Sequence, residues 1–309
     1  MLPFDLTILG SASATPVPER HQTAQVLRYD NDIFLLDCGE ETQRQLLRYK
    51  IRWRKLRAIF ISHLHGDHYL GLMGLLNTMS MQGRKQPLHL FAPPELANVL
   101  SLHFRIGKIA LHFDLDFIPL QMGEHYKLWE TEKMVVETIP LQHRIPCTGF
   151  LFREKITEKK LNAKQLPELR PEQYQALQRG EDIRLPDGTL LPNEQVTFPK
   201  PTPRSYAFCS DTRYLEAIIP IVKGADLLYH EATFTDDKAK KAFVTFHSTA
   251  RQAATLASKA EVGELLIGHF SASLKDLAPL LSEAQAVFAQ TSLALEGMRK
   301  VITKKETAS

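Results

Sequence analysis

The sequence predicts an α/β protein, and three observations carry that expectation. Apolar runs of strand length alternate with helical stretches through most of the chain. Those runs end in glycine-, proline- or aspartate-bearing turns. A chain of 309 residues with 44% hydrophobic content can bury a full core, as one large or two small domains.

Phe4-Asp5-Leu6-Thr7-Ile8-Leu9 alternates apolar and polar residues, and the small-residue loop Gly10-Ser11-Ala12-Ser13-Ala14-Thr15-Pro16 ends it. Two further runs, 24–29 and 33–36, read as a hairpin across Asp30-Asn31-Asp32 that ends at Asp37. A helix is expected over 42–49, a buried strand over 58–61, and a helix over about 71–81. Leu88-His89-Leu90-Phe91 is the next strand, and Pro93-Pro94 opens a helix to about residue 104. Strands follow at 113–120, 126–129, 134–140 and 148–152. The stretch 154–203 is rich in Lys, Glu, Gln and Pro, with a short helical piece near 172–179 and a turn at Pro186-Asp187-Gly188. So long a linker inside a compact domain is uncommon, and it reads as a protruding arm on a single domain spanning 1–309. Order returns with a strand over 206–211, a helix over 214–222 and a buried strand over 226–229. A helix over 250–259 is capped by Ser248 or Thr249. A strand over 264–268, a helix over 274–289 and a strand near 292–295 close the chain. Two successive halves of mixed strands and helices fit this order.

No apolar run is long enough to span a bilayer, and Met1-Leu2-Pro3-Phe4-Asp5 leads straight into a strand, so neither membrane anchoring nor a cleaved signal is expected. Cys38, Cys147 and Cys209 are widely spaced and odd in number, which fits a reducing cytoplasm. The net charge of +3 excludes little. Its distribution is more telling: residues 44–57 hold seven basic side chains and no acidic one, just before the motif described next. Such a run is commonly a solvated face, and its nearness to a metal-binding turn points to a phosphate substrate.

That motif is Ser62-His63-Leu64-His65-Gly66-Asp67-His68, set directly after Ala58-Ile59-Phe60-Ile61. Three imidazoles and a carboxylate in six residues are borderline metal ligands at a strand exit. Two apart on extended backbone, His63 and His65 point to one side, whereas Asp67 and His68 fall where the chain turns into a helix. Two ligand sets on one turn imply two metals. His143, Asp211 and His269 also lie at or just past the ends of apolar strands. Such carboxyl ends line the ligand crevice of open α/β sheets, so all seven residues can converge.

The His-x-His-x-Asp-His cluster resembles that of the metallo-β-lactamase superfamily, and the surrounding motifs resemble the ribonuclease Z family of tRNA 3′-end endonucleases. The resemblance runs from about residue 6 to 270. It rests on residues 10–20, 60–68, His143 with Gly149-Phe150, and Ser210-Asp211-Thr212-Arg213. His230-Glu231-Ala232-Thr233-Phe234, His247-Ser248-Thr249-Ala250 and Gly268-His269-Phe270-Ser271 complete it; the Glu231 and His247 motifs are the part specific to the tRNA enzymes. The resemblance implies a four-layer αβ/βα sandwich with two Zn2+ per subunit. One ion would be bound by His63, His65 and His143, the other by Asp67, His68 and His269, with Asp211 bridging. Mn2+ or Fe2+ suits the same donors. It further implies precursor tRNA as substrate, a homodimer, and His247 as the acid that protonates the leaving 3′ oxygen, with Glu231 orienting it. Asp67 would also accept or orient the proton of the attacking water. The alternative is a phosphodiesterase of the same fold acting on a cyclic nucleotide or other small diester.

The chain departs from the family in two places. The arm lacks most of the glycines of the family's Gly/Pro-rich tip, though residues 153–180 keep seven basic against four acidic side chains. After His269 the family usually shows Phe-Ser-Ser-Arg-Tyr, where this chain has Phe270-Ser271-Ala272-Ser273-Leu274-Lys275.

Overall fold

The apolar runs form sixteen strands among the described residues: β1 (Phe4–Gly10), β2 (Ala24–Tyr29), β3 (Asp32–Leu36), β4 (Leu56–Phe60), β5 (Leu88–Ala92), β6 (Leu115–Pro119), β7 (Lys127–Glu130), β8 (Met134–Leu141), β9 (Cys147–Glu154), β10 (Ile183–Arg184), β11 (Leu190–Leu191), β12 (Ser205–Cys209), β13 (Leu227–Glu231), β14 (Glu264–Gly268), β15 (Thr291–Leu293) and β16 (Arg299–Val301). The structure is a computed structural model that describes residues 2–156 and 158–304. Met1, Thr157 and residues 305–309, which include both ends of the expected domain and one residue of the expected arm, lie outside them.

Fourteen strands make two seven-stranded sheets, ordered β16-β1-β2-β3-β4-β5-β6 and β15-β14-β13-β12-β9-β8-β7. Each begins in chain order with antiparallel neighbours and continues with parallel ones, β3 to β6 in the first sheet and β12 to β15 in the second. This repeat is the two-halves organisation expected from the element order. The final strand, β16, was not anticipated. It returns to the first sheet and pairs with β1, tying the end of the chain to its start.

Side-chain alternation sorts the layers. In β4, Ala58 and Phe60 face the opposite sheet, whereas Leu56, Ile59 and the following Ile61 face helices. In β12, Tyr206 and Phe208 face the opposite sheet, and Ala207 and Cys209 face helices. The resulting three apolar clusters separate four layers, helix, sheet, sheet and helix, which agrees with the expected sandwich. Aromatic rings fill the centre: Phe60 stacks on Phe91 at 4.7 Å and meets Phe150 and Phe152, each at 5.2 Å.

Several boundaries moved for identifiable reasons. The helix expected over 214–222 is a single 3-10 turn, Glu216–Ile218, followed by Ile219–Val222, because Pro220 sits within its span. The last helix starts at Ala278, with Pro279 in its first turn, rather than at Leu274. A helix at Ala239–Thr245, which lacks a strong apolar stripe, was missed. Thr249, not Ser248, caps Ala250–Lys259. Its hydroxyl accepts from the Gln252 N–H at 3.2 Å and Gln252 Oε1 accepts from its N–H at 2.9 Å. No helix of the described residues is long and apolar enough to cross a membrane.

The stretch after β9 leaves and re-enters the second sheet at one point, since Arg153 pairs with Ser205. Between them lie the helix Pro171–Arg179, the β10–β11 hairpin and a small cluster of Leu177, Ile183 and Val196 packed by Leu161, Leu166 and Leu169. The expected turn at Pro186-Asp187-Gly188 is the hairpin tip, where Gly188 takes a φ of 87°.

Candidate metal centre

All seven expected ligands meet at one end of the sandwich, in two sets. In the first, His63 Nε2 and His143 Nε2 each lie 3.1 Å from His65 Nδ1 and 3.6 Å from Asp211 Oδ2. In the second, His68 Nε2 lies 3.4 Å from Asp67 Oδ2, and His269 Nε2 also lies 3.4 Å from it. Asp211 Oδ1 completes that set at 3.4 Å from His68 Nε2 and 3.2 Å from His269 Nε2. Asp211 therefore turns one oxygen to each set.

Two tests support metal binding. Donors about 2.0–2.1 Å from a tetrahedral zinc stand about 3.4 Å from one another, which is the spacing found here. The buried atoms His68 Nε2 and Asp211 Oδ1 have no hydrogen-bond partner, an arrangement a protein interior seldom tolerates unless something else binds them. Charge points the same way. Burial lowers the pKa of His63, His65 and His143, which favours the neutral imidazole that ligates metals. Burial would also lower His68, but Asp211, Asp67 and Asp37 together carry it well above its usual value. Three buried carboxylates around one imidazole call for a cation.

Four of the five ligand imidazoles, all but His65, are oriented by a bond on the other nitrogen, as metal-binding histidines usually are. His68 Nδ1 pairs with Asp37 Oδ2 at 2.7 Å. His63 Nδ1 meets Ser62 Oγ at 2.9 Å, and that hydroxyl donates to Asp37. His143 Nδ1 donates to the Phe246 carbonyl at 2.9 Å, and His269 Nδ1 meets Thr233 Oγ1 at 3.0 Å. Asp67 is fixed through Oδ2, which accepts the Ala14 N–H at 2.7 Å from the loop after β1. Three non-glycine residues of this shell, Asp37, Phe246 and His269, have left-handed φ values of 55°, 62° and 60°. Such backbone is costly by about 1–3 kcal/mol per residue and clusters at functional sites.

Sequence reasoning missed Asp37. It is fully buried, and its signal was the one used for Asp211: an apolar strand that stops on an aspartate.

Glu231 and His247 flank both sets. Glu231, at the end of β13, is buried and accepts from the N–H groups of Thr212, Thr233 and Ser248, from the Thr233 hydroxyl, and from His247 Nδ1 at 2.9 Å. Burial opposes its ionisation, but the His247 charge and hydrogen bond hold it below the ordinary carboxylate range. In return, Glu231 outweighs the burial of His247 and pushes it up to about 9. His247 Nε2 has no hydrogen-bond partner among the described residues and is free to give a proton. Asp211, His247 and His269 also approach closely enough to share an ion. His247 Nδ1 is already committed to Glu231, however, and the other seven residues complete two sets without it.

The centre opens into a 690 Å³ cleft walled by the 13–16 loop, Arg144, Phe234, Thr245 and residues 271–272. A second cavity of 760 Å³ shares Pro16, Gln22, Glu40 and Leu70 with it and runs past Arg20 and Arg44. Of the basic stretch 44–57 only Arg44 lines this cavity; Lys50, Arg52 and Lys55 line a separate one with Arg28 and Arg299.

Residues 4–175 match a family model described as anti-Pycsar protein Apyc1, a match that stops before Asp211, Glu231, His247 and His269. Relatives that match the whole length include the ribonuclease Z of Parabacteroides distasonis, 42% identical over 97% of this chain and 99% of that protein. The ribonuclease Z of Cytophaga hutchinsonii is 46% identical over 95% of each. Among solved structures, the short form of human tRNase Z superposes with a TM-score of 0.70 at 27% identity, covering 97% of this chain and 99% of that one. A metallo-β-lactamase-fold protein of Bacillus subtilis, at 19% identity and a TM-score of 0.69 over 97% of this chain and 99% of that one, shares the fold. With identity of this order reaching from β1 past the Glu231–His247 pair, the chain belongs to the ribonuclease Z family.

Proposed function

We propose that the chain is a metal-dependent endoribonuclease that cuts precursor tRNA just 3′ of the discriminator base, leaving a 3′ hydroxyl on the tRNA and a 5′ phosphate on the trailer. The carrying observation is the 2.9 Å Glu231–His247 pair beside two donor sets. Metal ligands alone fit many hydrolases, but releasing a sugar oxygen near neutral pH also needs a proton donor within reach. The nearly full-length identity to proteins named ribonuclease Z supports the substrate. In this reading each subunit holds two Zn2+, and the same donors accept Mn2+ or Fe2+.

When bound, the ions supply water activation and neutralise charge on the phosphoryl oxygens. The chain's own groups do the rest. Asp67 Oδ1, which carries no hydrogen bond among the described residues, orients the attacking water and accepts its proton. As the water oxygen bonds to phosphorus, the bond from phosphorus to the 3′ oxygen breaks. His247 Nε2 gives its proton to that oxygen, and Glu231 holds the ring and stabilises its charged form.

The same reading makes 154–203 the arm that grips tRNA, and the working unit a homodimer in which one subunit's arm holds the tRNA cut by the other. It treats 1–309 as one domain acting in the cytoplasm. The return of the arm to its point of departure supports this role, as does the basic bias of its first part, six basic against four acidic side chains over 154–180, although the arm as a whole is balanced at eight of each.

Incubating the zinc-loaded protein with precursor tRNA and mapping both new ends tests the proposal. A single cut after the discriminator base is expected. Turnover of a small chromogenic diester without any such cut would overturn it in favour of a small-molecule phosphodiesterase.

A further inference from the structure

The turn that presents His247 also presents an aromatic surface. The helix Ala239–Thr245 ends at Phe246, whose left-handed φ of 62° aims its carbonyl at His143 and hands the chain on to His247. One helical turn earlier, Phe243 leaves 63% of its surface in solvent, an unusual exposure for a large ring. The Arg213 guanidinium carbon lies 3.5 Å from the Phe246 ring centre and 4.2 Å from that of Phe243. Arg213 Nε donates to the Phe243 carbonyl, whereas its two Nη groups have no partner among the described residues. Its backbone N–H bonds to the carbonyl of Gln142, the neighbour of His143, so the main chain that carries this side chain is tied beside the metal centre.

Arg213 and Phe243 line a 240 Å³ pocket completed by Gln142, Tyr214, His247 and Gln252. His247 also lines the 690 Å³ cleft. Pocket and cleft share that residue as a wall, and in the reading above it is the acid. A proton donor must lie within hydrogen-bond reach of the oxygen it protonates. That oxygen belongs to the ribose on the 5′ side of the scissile phosphate, so the nucleotide beside His247 is the last one of the tRNA body. Below the ~300–1,000 Å³ of a cleft for a whole ligand, the pocket suits one base.

We infer that this pocket is the subsite for that last nucleotide, with its base stacked on Phe243 and the Arg213 Nη groups donating to the phosphate on its 5′ side. Stacking accepts any base because every base has a π face. The subsite therefore senses the presence of a base, not its identity, and fixes the leaving oxygen at His247.

The inference rests on the proposed tRNA cleavage, and the test separates the two. Precursor tRNA is prepared with either a normal or an abasic last nucleotide, and kcat/KM is measured for wild type, Phe243→Ala, Phe243→Tyr and Arg213→Gln. Wild type loses about tenfold on the abasic substrate, in line with one lost stacking partner. Phe243→Ala loses about tenfold on the normal substrate and nothing further on the abasic one, and Phe243→Tyr restores the difference. Arg213→Gln weakens both substrates alike and lowers the salt dependence, since the phosphate is present in both. Phe243 is exposed, so its truncation opens no core cavity; unchanged metal content verifies that. If Phe243→Ala slows both substrates equally, or neither, the subsite is overturned while tRNA cleavage stands. If wild type fails to cut the normal precursor, the functional reading fails and the subsite with it.

Discussion

At the sheet ends, ligands from β4, β8, β12 and β14 converge on two points, and nearly every donor is buried and tied to a second polar group. In the 154–203 segment, by contrast, three buried side chains form the apolar cluster and the helix above them spans nine residues. The centre is held by the whole molecule. The arm is held mainly by itself and by its base. The contrast separates the tasks: chemistry that needs donors fixed within tenths of an ångström sits where two sheets and their helices constrain it, and a grip on an extended polyanion can sit on a small unit packed apart.

The largest expected effect comes from the residue shared by both donor sets. Asp211→Ala removes one oxygen from each, so metal content falls at both sites, and turnover drops by more than the ~10²–10⁴-fold attributable to a lost general acid. Elemental analysis beside a precursor-cleavage assay measures this. A variant with full metal content and near-normal turnover would break the bridging assignment. His247→Ala is next. It keeps its metals and loses about 10²–10⁴-fold in turnover. Metal loss in that variant would instead make His247 a ligand.

Much of this centre was legible in the sequence, and for a physical reason. Ligands on strand ends follow buried apolar runs, so the run marks the strand and the first His or Asp after it marks the site, as for His63, Asp211 and His269. Asp37 carries the same mark but reaches the metals only indirectly, through His68 and through Ser62 to His63, a relation that pairing β3 with β4 creates. The fold class and the helices at Gly71–Met81 and Ala250–Lys259 were likewise legible from periodicity and caps. The last strand was not. Residues 299–301 include two cations and gain their strand form only from β1 and from the Arg299–Asp5 ion pair, which are nearly three hundred residues away. The Phe243 pocket was equally hidden, because Arg213 and Phe243 meet only in three dimensions.

The contrast in packing is open to a stability test of intermediate size. Phe208→Ala in the central layer destabilises the whole molecule by about 3–5 kcal/mol, a large share of a typical domain's ~5–15 kcal/mol. Leu177→Ala carries a local cost of about 2–5 kcal/mol, more than its small cluster can absorb. The arm then opens while the sandwich stays folded. Hydrogen exchange reads both: protection lost throughout for Phe208→Ala, and lost only within 154–203 for Leu177→Ala. Equal, global loss in both variants would mean that the arm is not a separate unit.

The smallest effect lies where the two regions join. Glu154 and Arg204, the residues at the arm's base, form an almost fully buried ion pair at 2.8 Å, and the Tyr29 hydroxyl donates to Glu154 at 2.9 Å. Burial would raise the Glu154 pKa, but the hydrogen bonds and charge of Arg204 prevail and hold it below the ordinary value. A carboxylate depressed in the folded state contributes stability that is fully present above its unfolded pKa of about 4.3, and that is lost as pH falls through the lower folded value. One such group changes stability by at most about 1.4 kcal/mol per pH unit. Urea unfolding of wild type and Glu154→Gln should therefore differ by a constant amount between pH 5 and 7. The two should converge below pH ~4, as the protonated glutamate comes to resemble glutamine. A difference that persists undiminished into that acid range would show that the ion pair's charge contributes nothing to closing the arm's base, leaving its packing and neutral hydrogen bonds to hold the joint.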